Sequence, residues 1–140
     1  MEQSDELRDL PLRFYEAATT GDLPFFERHV SRQEGAVFVG TDPNEWWEGF
    51  EAFVEAMRTQ EEAMGDGGLQ IVPTQLQAYR EGSVGWVIDR ESFQLPDGTE
   101  IPFRNTAIFH QEDGEWKLVH AHASIGARNE DVFGEDVTSY

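Results

Sequence analysis

The spacing of apolar residues divides the chain into a helical first half and a strand-rich second half. Leu7, Leu10 and Phe14 recur every three or four residues, the period of one helix face, and predict a helix over about residues 5–20. Pro11 either kinks this helix or marks its true start. Residues 23–29 are typical of a short second helix with a proline in its first turn.

A short strand and a third helix are expected next. Residues 36–40 form a short apolar run, which indicates a strand. Thr41 or Asp42 is expected to cap a helix that ends at the glycine-rich residues 65–68. The buried stripe of this helix is predicted to consist of Trp46, Trp47, Phe50, Phe53, Val54 and Met57.

Four strand-like runs follow, at about residues 69–80, 83–95, 99–111 and 115–126. Turn residues separate them, and the Asp-Gly pairs among these are a strong hairpin signal. Helices followed by an antiparallel meander predict an α+β domain, with the helices packed on one face of a curved sheet. We expect a single domain over residues 1–128 and an acidic tail over residues 129–140.

The charge balance narrows the possible partners. The 140 residues include 28 Asp and Glu but only 10 Lys and Arg, which gives a net charge of −18. Such a chain lacks the basic footprint that nucleic acids or anionic membranes require. No apolar run is long enough to span a bilayer, and the acidic N-terminus is unlike a secretory signal, so a cytoplasmic protein is expected. Because nine of the ten basic residues are Arg, a high-salt (halophilic) habitat is favoured over an ordinary cytoplasm.

Several kinds of chemistry are not expected. The chain has no Cys, no phosphate-binding glycine loop and no Gly-x-Ser-x-Gly nucleophile turn. Two histidines spaced as His-x-His could suit a metal, but together with two carboxylates they do not form a metal motif. We therefore expect neither a cofactor nor a bound metal.

Four segments resemble the SnoaL-like family of the nuclear-transport-factor-2-like (NTF2-like) superfamily. Residues 14–17 (Phe-Tyr-Glu-Ala) are similar to that family's opening helix, and residues 40–49 to its motif between the first strand and the third helix. Residues 103–106 and 114–124 resemble its closing hairpin. The resemblance implies a cone with a pocket between the helices and a strongly curved, mostly antiparallel sheet. It also points to a homodimer.

Hairpin register offers a candidate site. If residues 97–98 form a two-residue loop and residues 112–114 close the next hairpin, polar side chains of three strands share one sheet face. These side chains are Asp89, Glu91, Arg104, Thr106, His120 and His122. The opposite face is also substantially apolar, so one face is expected to hold the pocket and the other to contact a second subunit.

Within this cluster, Asp89, His120 and His122 are the candidate catalytic acid and base groups. Arg104 is a candidate to hold a ligand oxygen, with Thr106 beside it. The alternative is a structural network in which Arg104 forms a cross-strand ion pair with the carboxylate opposite it.

Two aromatic residues complete the predicted ligand-binding set. The hydroxyl of Tyr15 could reach the pocket from the opposite wall, or Tyr15 could be an ordinary core aromatic. Trp47 could stack on a ligand, although a structural role is favoured for it and its neighbour Trp46.

The function expected from these features is binding of a small, partly hydrophobic molecule in the cone. The resemblance adds the possibility of cofactor-free isomerase, cyclase or dehydratase chemistry. The alternative is a non-catalytic ligand-binding or assembly module. Fold alone does not decide between them, so whether the chain is an enzyme stays open.

Overall fold

A layer of helices covers one face of a twisted sheet in the computed structural model, which describes residues 1–64 and 69–134. Within these residues the helices are α1 (Asp5–Thr20), α2 (Leu23–His29), α3 (Phe50–Met64) and α4 (Asn129–Phe133). The strands are β1 (Glu2–Gln3), β2 (Val37–Val39), β3 (Trp46–Glu48), β4 (Gln70–Glu81), β5 (Val84–Gln94), β6 (Glu100–Glu112) and β7 (Glu115–Ser124).

The strands form one sheet in the order β1-β4-β5-β6-β7-β2-β3. All neighbouring pairs are antiparallel except β2 with β7, which is parallel. The α+β class with helices before a long meander is confirmed. None of the helices in the described part of the chain is long and apolar enough to cross a bilayer.

Helix α1 begins directly after its N-cap residue, Ser4. The Ser4 hydroxyl accepts a hydrogen bond from the Leu7 N–H at 3.2 Å, which satisfies one of the free donors of the first turn. Gly21 ends the helix with a φ of 69°, a left-handed conformation that glycine adopts without strain. Pro11 is buried inside the helix, so the alternative in which the helix starts there is wrong. The predicted bounds of α1 are confirmed.

The predicted start of the third helix is wrong. The Asp42 carboxylate accepts from the Asn44 N–H at 2.8 Å and forms a turn instead of a helix cap. After this turn the chain runs back beside β2 as strand β3. Trp47 of β3 pairs with Phe38 of β2. Helix α3 begins only at Phe50, and its expected end at residues 65–68 lies outside the described residues.

The core lies between the helices and the sheet face that they cover. Leu7, Leu10 and Phe14 of α1 are buried there, as the helical spacing predicted. The rings of Phe38 and Phe53 stack with their centroids 4.1 Å apart, which joins β2 to α3. The buried sheet residues that complete this core are Ala78, Val87, Ala107, Phe109, Trp116 and Leu118.

The four long strands lie close to their predicted ranges, but the loop between β5 and β6 is not the expected two-residue loop. The Leu95 N–H donates to the Thr99 carbonyl at 2.9 Å, so the loop contains the three residues 96–98. Gly98 takes the left-handed position that such a loop needs, with a φ of 88°. The extra loop residue shifts the register by one, and Arg90 pairs with Arg104.

The β6–β7 hairpin also differs from the prediction. Asp113 and Gly114, with φ values of 53° and 80°, form a two-residue loop of the type that matches strand twist. A register shift between Ile108 and Phe109 then adds a second one-residue offset. Because the two one-residue offsets add up to two, His120 and His122 stay on the same sheet face as Thr106. Thr106 pairs with His122 instead of the predicted His120.

The predicted six-residue cluster is therefore wrong as one cluster, because a one-residue shift moves every β5 side chain to the other face. Asp89 and Glu91 are buried on the inner face, beneath the helices. Arg104, Thr106, His120 and His122 lie on the outer face, which the helices do not cover. The expected ion pair between Glu91 and Arg104 does not form.

Candidate functional site

Four polar side chains meet in the interior between α1 and the sheet. The Tyr15 hydroxyl on α1 donates a hydrogen bond to Asp89 Oδ2 on β5 at 2.5 Å. The Asn105 amide on β6 donates to the Tyr15 oxygen at 3.3 Å. Glu91 lies two residues beyond Asp89 on the same strand face. We call Tyr15, Asp89, Glu91 and Asn105 the interior polar cluster.

The local sequence explains how these side chains reach the interior. Val87 is buried on the inner face of β5. Because every second side chain of a strand lies on the same face, Asp89 and Glu91 lie on the inner face as well. Asn105 pairs directly with Asp89, so both side chains lie on the same face. Tyr15 follows the buried Phe14 on α1, at the edge of the apolar stripe.

The carboxylates of this cluster are buried but incompletely hydrogen-bonded. Asp89 and Glu91 are each only 2% exposed. Asp89 Oδ1 and both carboxyl oxygens of Glu91 have no hydrogen-bond partner among the described residues. Buried polar atoms are normally satisfied, and leaving one without a partner costs about 1–3 kcal/mol. Three such oxygens at one place make the interior polar cluster the candidate functional site.

Burial sets the protonation state of this cluster. Removal from water, together with the neighbouring Asp89 carboxylate, raises the pKa of Glu91 to about 9. Glu91 therefore carries its proton at neutral pH. Burial and the nearby carboxylates also raise the pKa of Tyr15 far above its ordinary value, so the phenol stays a hydrogen-bond donor.

A cavity of about 90 Å³ lies next to the cluster, between α1, α3 and strands β4 and β5. Its wall includes Thr19, one turn beyond Tyr15, and Phe93, two residues beyond Glu91. Met57 and Met64 form part of its α3 side. The cluster residues themselves do not line this space, which is large enough for a few water-sized groups.

The arrangement places acid and base functions side by side. Glu91 offers a proton, Tyr15 offers a hydrogen bond, and Asp89 holds a carboxylate oxygen without a partner. This combination is what proton transfer next to a carbonyl group requires. Within the described residues, no group of three or more His, Asp and Glu side chains could hold a metal ion.

Of the seven predicted site residues, the structure brings Tyr15 and Asp89 together in the interior, and it brings Arg104, Thr106 and His122 together on the outer face. The ring nitrogen Nδ1 of His120 lies 2.7 Å from the Val37 carbonyl, so this nitrogen donates to the neighbouring strand. His122 is exposed, with Arg104 and Thr106, on the outer face. Functional roles for these outer residues stay predictions.

Trp47 does not reach the interior polar cluster. Its ring packs edge-on against Phe53, with centroids 6.0 Å apart. This contact places Trp47 at the core between β3 and α3, as the structural alternative expected. Ligand stacking by Trp47 stays a prediction.

Asn105 is the cluster residue that the sequence reasoning missed. The signal was its place on β6 between the apolar Phe103 and Ala107, which marks position 105 as inward-facing. The assumed two-residue loop placed Asp89 opposite Thr106, which hid the pairing of Asp89 with Asn105.

Comparison with known proteins identifies the family. A family model for the SnoaL-like domain matches residues 7–128. The chain belongs to the SnoaL-like family. Among curated proteins, no significant relative of the sequence is found.

Solved structures show the same NTF2-like fold. An NTF2-like protein of unknown function from Pseudomonas putida KT2440 is similar with a TM-score of 0.80 at 17% identity, covering 99% of each chain. A candidate ketosteroid isomerase from Shewanella frigidimarina has a TM-score of 0.69 at 17% identity, covering 83% of this chain and 92% of its own. The association domain of C. elegans CaMKII has a TM-score of 0.69 at 14% identity, covering 85% and 92%.

The raised pKa of Glu91 predicts a pH dependence of stability. The pKa in the folded protein, about 9, lies above the ordinary value of 4.5. The stabilising effect of the protonated form is therefore complete below pH 4.5 and is lost as pH rises through about 9. Glu91→Gln should remove this loss, which is at most about 1.4 kcal/mol per pH unit.

Urea unfolding of both proteins between pH 5 and pH 9 is the measurement. The free energy of unfolding of Glu91→Gln should rise relative to the unsubstituted protein as pH increases. The matched control is Glu100→Gln, because Glu100 is exposed on β6. A constant difference between Glu91→Gln and the unsubstituted protein across this range would contradict the assignment.

Proposed function

We propose that this SnoaL-like protein binds a small, partly apolar carbonyl compound next to the interior polar cluster and moves a proton on it without a cofactor. The observation that carries the proposal is the buried carboxylate pair, Asp89 and Glu91, with three unpartnered oxygens. Isomerisation, cyclisation and dehydration are the reaction types that such a pair serves.

In this proposal the two carboxyl groups have different roles. Asp89 is the base, since Tyr15 holds one of its oxygens and leaves Oδ1 unpartnered. It removes a proton from the carbon next to the carbonyl group. Glu91 is protonated at neutral pH and donates a hydrogen bond to the carbonyl oxygen, where negative charge develops. Asp89 then returns the proton at another carbon, which completes an isomerisation.

The predicted role of the histidines is reassigned here. His120 and His122 lie on the outer face, on the side of the sheet away from the interior cavity. Glu91 takes the acid role in their place, and Asp89 keeps the base role. The similarity to a candidate ketosteroid isomerase supports the proposal through the fold only.

The cavity limits the size of the molecule that fits without rearrangement. At about 90 Å³ it accepts only a small part of a ligand. Met57 and Met64 at its wall are flexible side chains that can repack around a larger group. We therefore propose that the ligand enters past α3 and extends towards Glu91.

Proton exchange on a simple ketone tests this function. The probe is cyclohex-3-enone in D₂O, with deuterium incorporation followed by NMR and conjugation followed by absorbance. The unsubstituted protein should accelerate both above the buffer rate. Asp89→Asn should lower the rate about 100-fold or more, because it removes the base.

Glu100→Gln is the control, since it removes a carboxylate of β6 that is exposed to solvent. It should leave the rate unchanged. Circular dichroism checks that each variant is folded. A rate no higher than that of buffer, or equal rates for the protein and Asp89→Asn, would overturn the proposed proton transfer.

A second candidate function is assembly, and the outer sheet face favours it. Trp86, Ile88 and Ile108 lie together there, with Ile88 49% and Ile108 39% exposed. The similarity to the C. elegans association domain is a likeness of fold, in line with this use of the face. We propose that this apolar part of the face contacts a second copy of the chain.

The charge distribution makes this the most suitable contact face. Two copies with a net charge of −18 each repel one another unless the contact surface lacks carboxylates. Along the four long strands, acidic residues stand at the strand ends or are buried on the inner face. They are Glu81, Asp89, Glu91, Glu100, Glu112 and Glu115.

Sedimentation velocity tests the assembly. The unsubstituted protein should sediment as a dimer, and Ile108→Glu should sediment as a monomer because it places a charge in the contact. Val132→Glu is the control, since Val132 is also apolar and exposed but lies on α4. A monomeric unsubstituted protein, or a dimeric Ile108→Glu variant, would contradict this interface.

A further inference from the structure

Two arginines lie directly opposite each other on the outer face of the sheet. Arg90 of β5 pairs with Arg104 of β6, and both side chains are exposed. Directly opposite side chains of neighbouring strands have Cβ atoms about 5 Å apart, and like charges at that distance destabilise the pair. Gln75 of β4 and Ser124 of β7 continue the same row on either side.

Neither arginine has a carboxylate partner within the described residues. Arg104 Nε donates to the Ser124 hydroxyl at 3.2 Å, and this is its one side-chain hydrogen bond there. Arg90 forms no ion pair in the same part of the chain, although the sequence holds 28 acidic residues against 10 basic ones. Such a separation of cations from carboxylates leaves the guanidinium donors available for an external anion.

The two arginines border an open groove of about 620 Å³, which is within the size range of small-molecule sites. Pro102 and Ile125 supply apolar walls, and Arg128 stands at one edge, paired with Glu130. The groove continues along the sheet into a second concavity that Thr106 and His122 line.

Gly126 leaves room for the Arg104 side chain. A Cβ atom at residue 126 would lie 3.2 Å from Arg104 Nη2, so the absence of a side chain lets the guanidinium lie against the backbone. Gly126 has a φ of 85°, which an L side chain rarely adopts. The Ser124 hydroxyl therefore anchors Arg104 Nε at the groove, Gly126 leaves space for the guanidinium, and the remaining donors of Arg104 are unpaired among the described residues.

We propose that this groove binds a small molecule with a carboxylate or phosphate group, held between Arg90 and Arg104. Both anions share the planar or forked oxygen geometry that guanidinium groups bind in pairs. The apolar part of the ligand packs on Pro102 and Ile125. The groove opens on the outer face, and Glu91 of the interior polar cluster is also among its lining residues. Calorimetry measures anion binding directly, so its result does not depend on the proposed proton transfer.

Calorimetric titration at constant ionic strength tests the groove. The probes are phenyl phosphate and benzoate, which carry the two anionic groups on the same apolar ring, and benzyl alcohol as the neutral counterpart. At least one anion should bind, the tighter one identifying the preferred group, and benzyl alcohol should not. Arg90→Gln and Arg104→Gln should each raise the Kd of the bound anion at least tenfold.

Arg58→Gln is the matched control, because Arg58 is an arginine of α3 that pairs with Glu55 and Glu62, away from the groove. It should leave the Kd unchanged. Binding of neither anion, or equal weakening by Arg58→Gln, would overturn the proposal. Sedimentation velocity of the same variants tests the remaining alternative, in which the two arginines contact a second copy of the chain. If both groove variants change the oligomeric state and no probe binds, the arginines face a second copy and the small-molecule site is wrong.

Discussion

The three-residue loop at residues 96–98 controls the chemistry of both sheet faces, because it sets the register of β5 against β6. Gly98 accepts the left-handed conformation that closes this loop, and Arg90 is thereby paired with Arg104. Strand alternation then carries Asp89 and Glu91 to the helical side. A loop one residue shorter would move Asp89 and Glu91 to the outer face beside Arg104 and would move Arg90 to the inner face.

Burial of two carboxyl groups beneath α1 is costly, and the structure offsets part of that cost in two ways. The Tyr15 hydroxyl binds Asp89, and a hydrogen bond to a charged group contributes about 1.5–3 kcal/mol. Glu91 keeps its proton, so one of the two negative charges is absent at neutral pH. What remains uncompensated are the unpartnered oxygens, and these are the atoms through which we expect a ligand to bind.

The sequence predicts the positions of the helices and strands better than the register in which neighbouring strands pair. Apolar periodicity located α1 and the four long strands, since each buries a continuous face whose spacing is visible in the chain. The turn at Asp42 was mistaken for a helix cap because Asp binds a nearby backbone N–H in both settings. The contact of Tyr15 with Asp89 depends on how α1 packs across the sheet, which no local pattern encodes.

The prediction of the strand register was wrong for a simple physical reason. An Asp-Gly pair suits both a two-residue loop and the last part of a three-residue loop, and the choice between them moves one whole strand face. The bulge at Val119, the β7 residue skipped between the Ile108–His120 and Phe109–Leu118 pairs, adds a second offset that has no marker in the sequence. The predicted residues Asp89 and Arg104 were therefore placed together, although they lie on opposite faces.

The central claim is that Glu91 is a protonated acid beside Asp89 inside the fold. The most direct measurement is a ¹³C NMR titration of the side-chain carboxyl groups, with the Glu91 signal assigned by its loss in Glu91→Gln. The account predicts a midpoint near 9 for this signal. A midpoint near the ordinary glutamate value of 4.5 would show that Glu91 is ionised at neutral pH and would contradict the account.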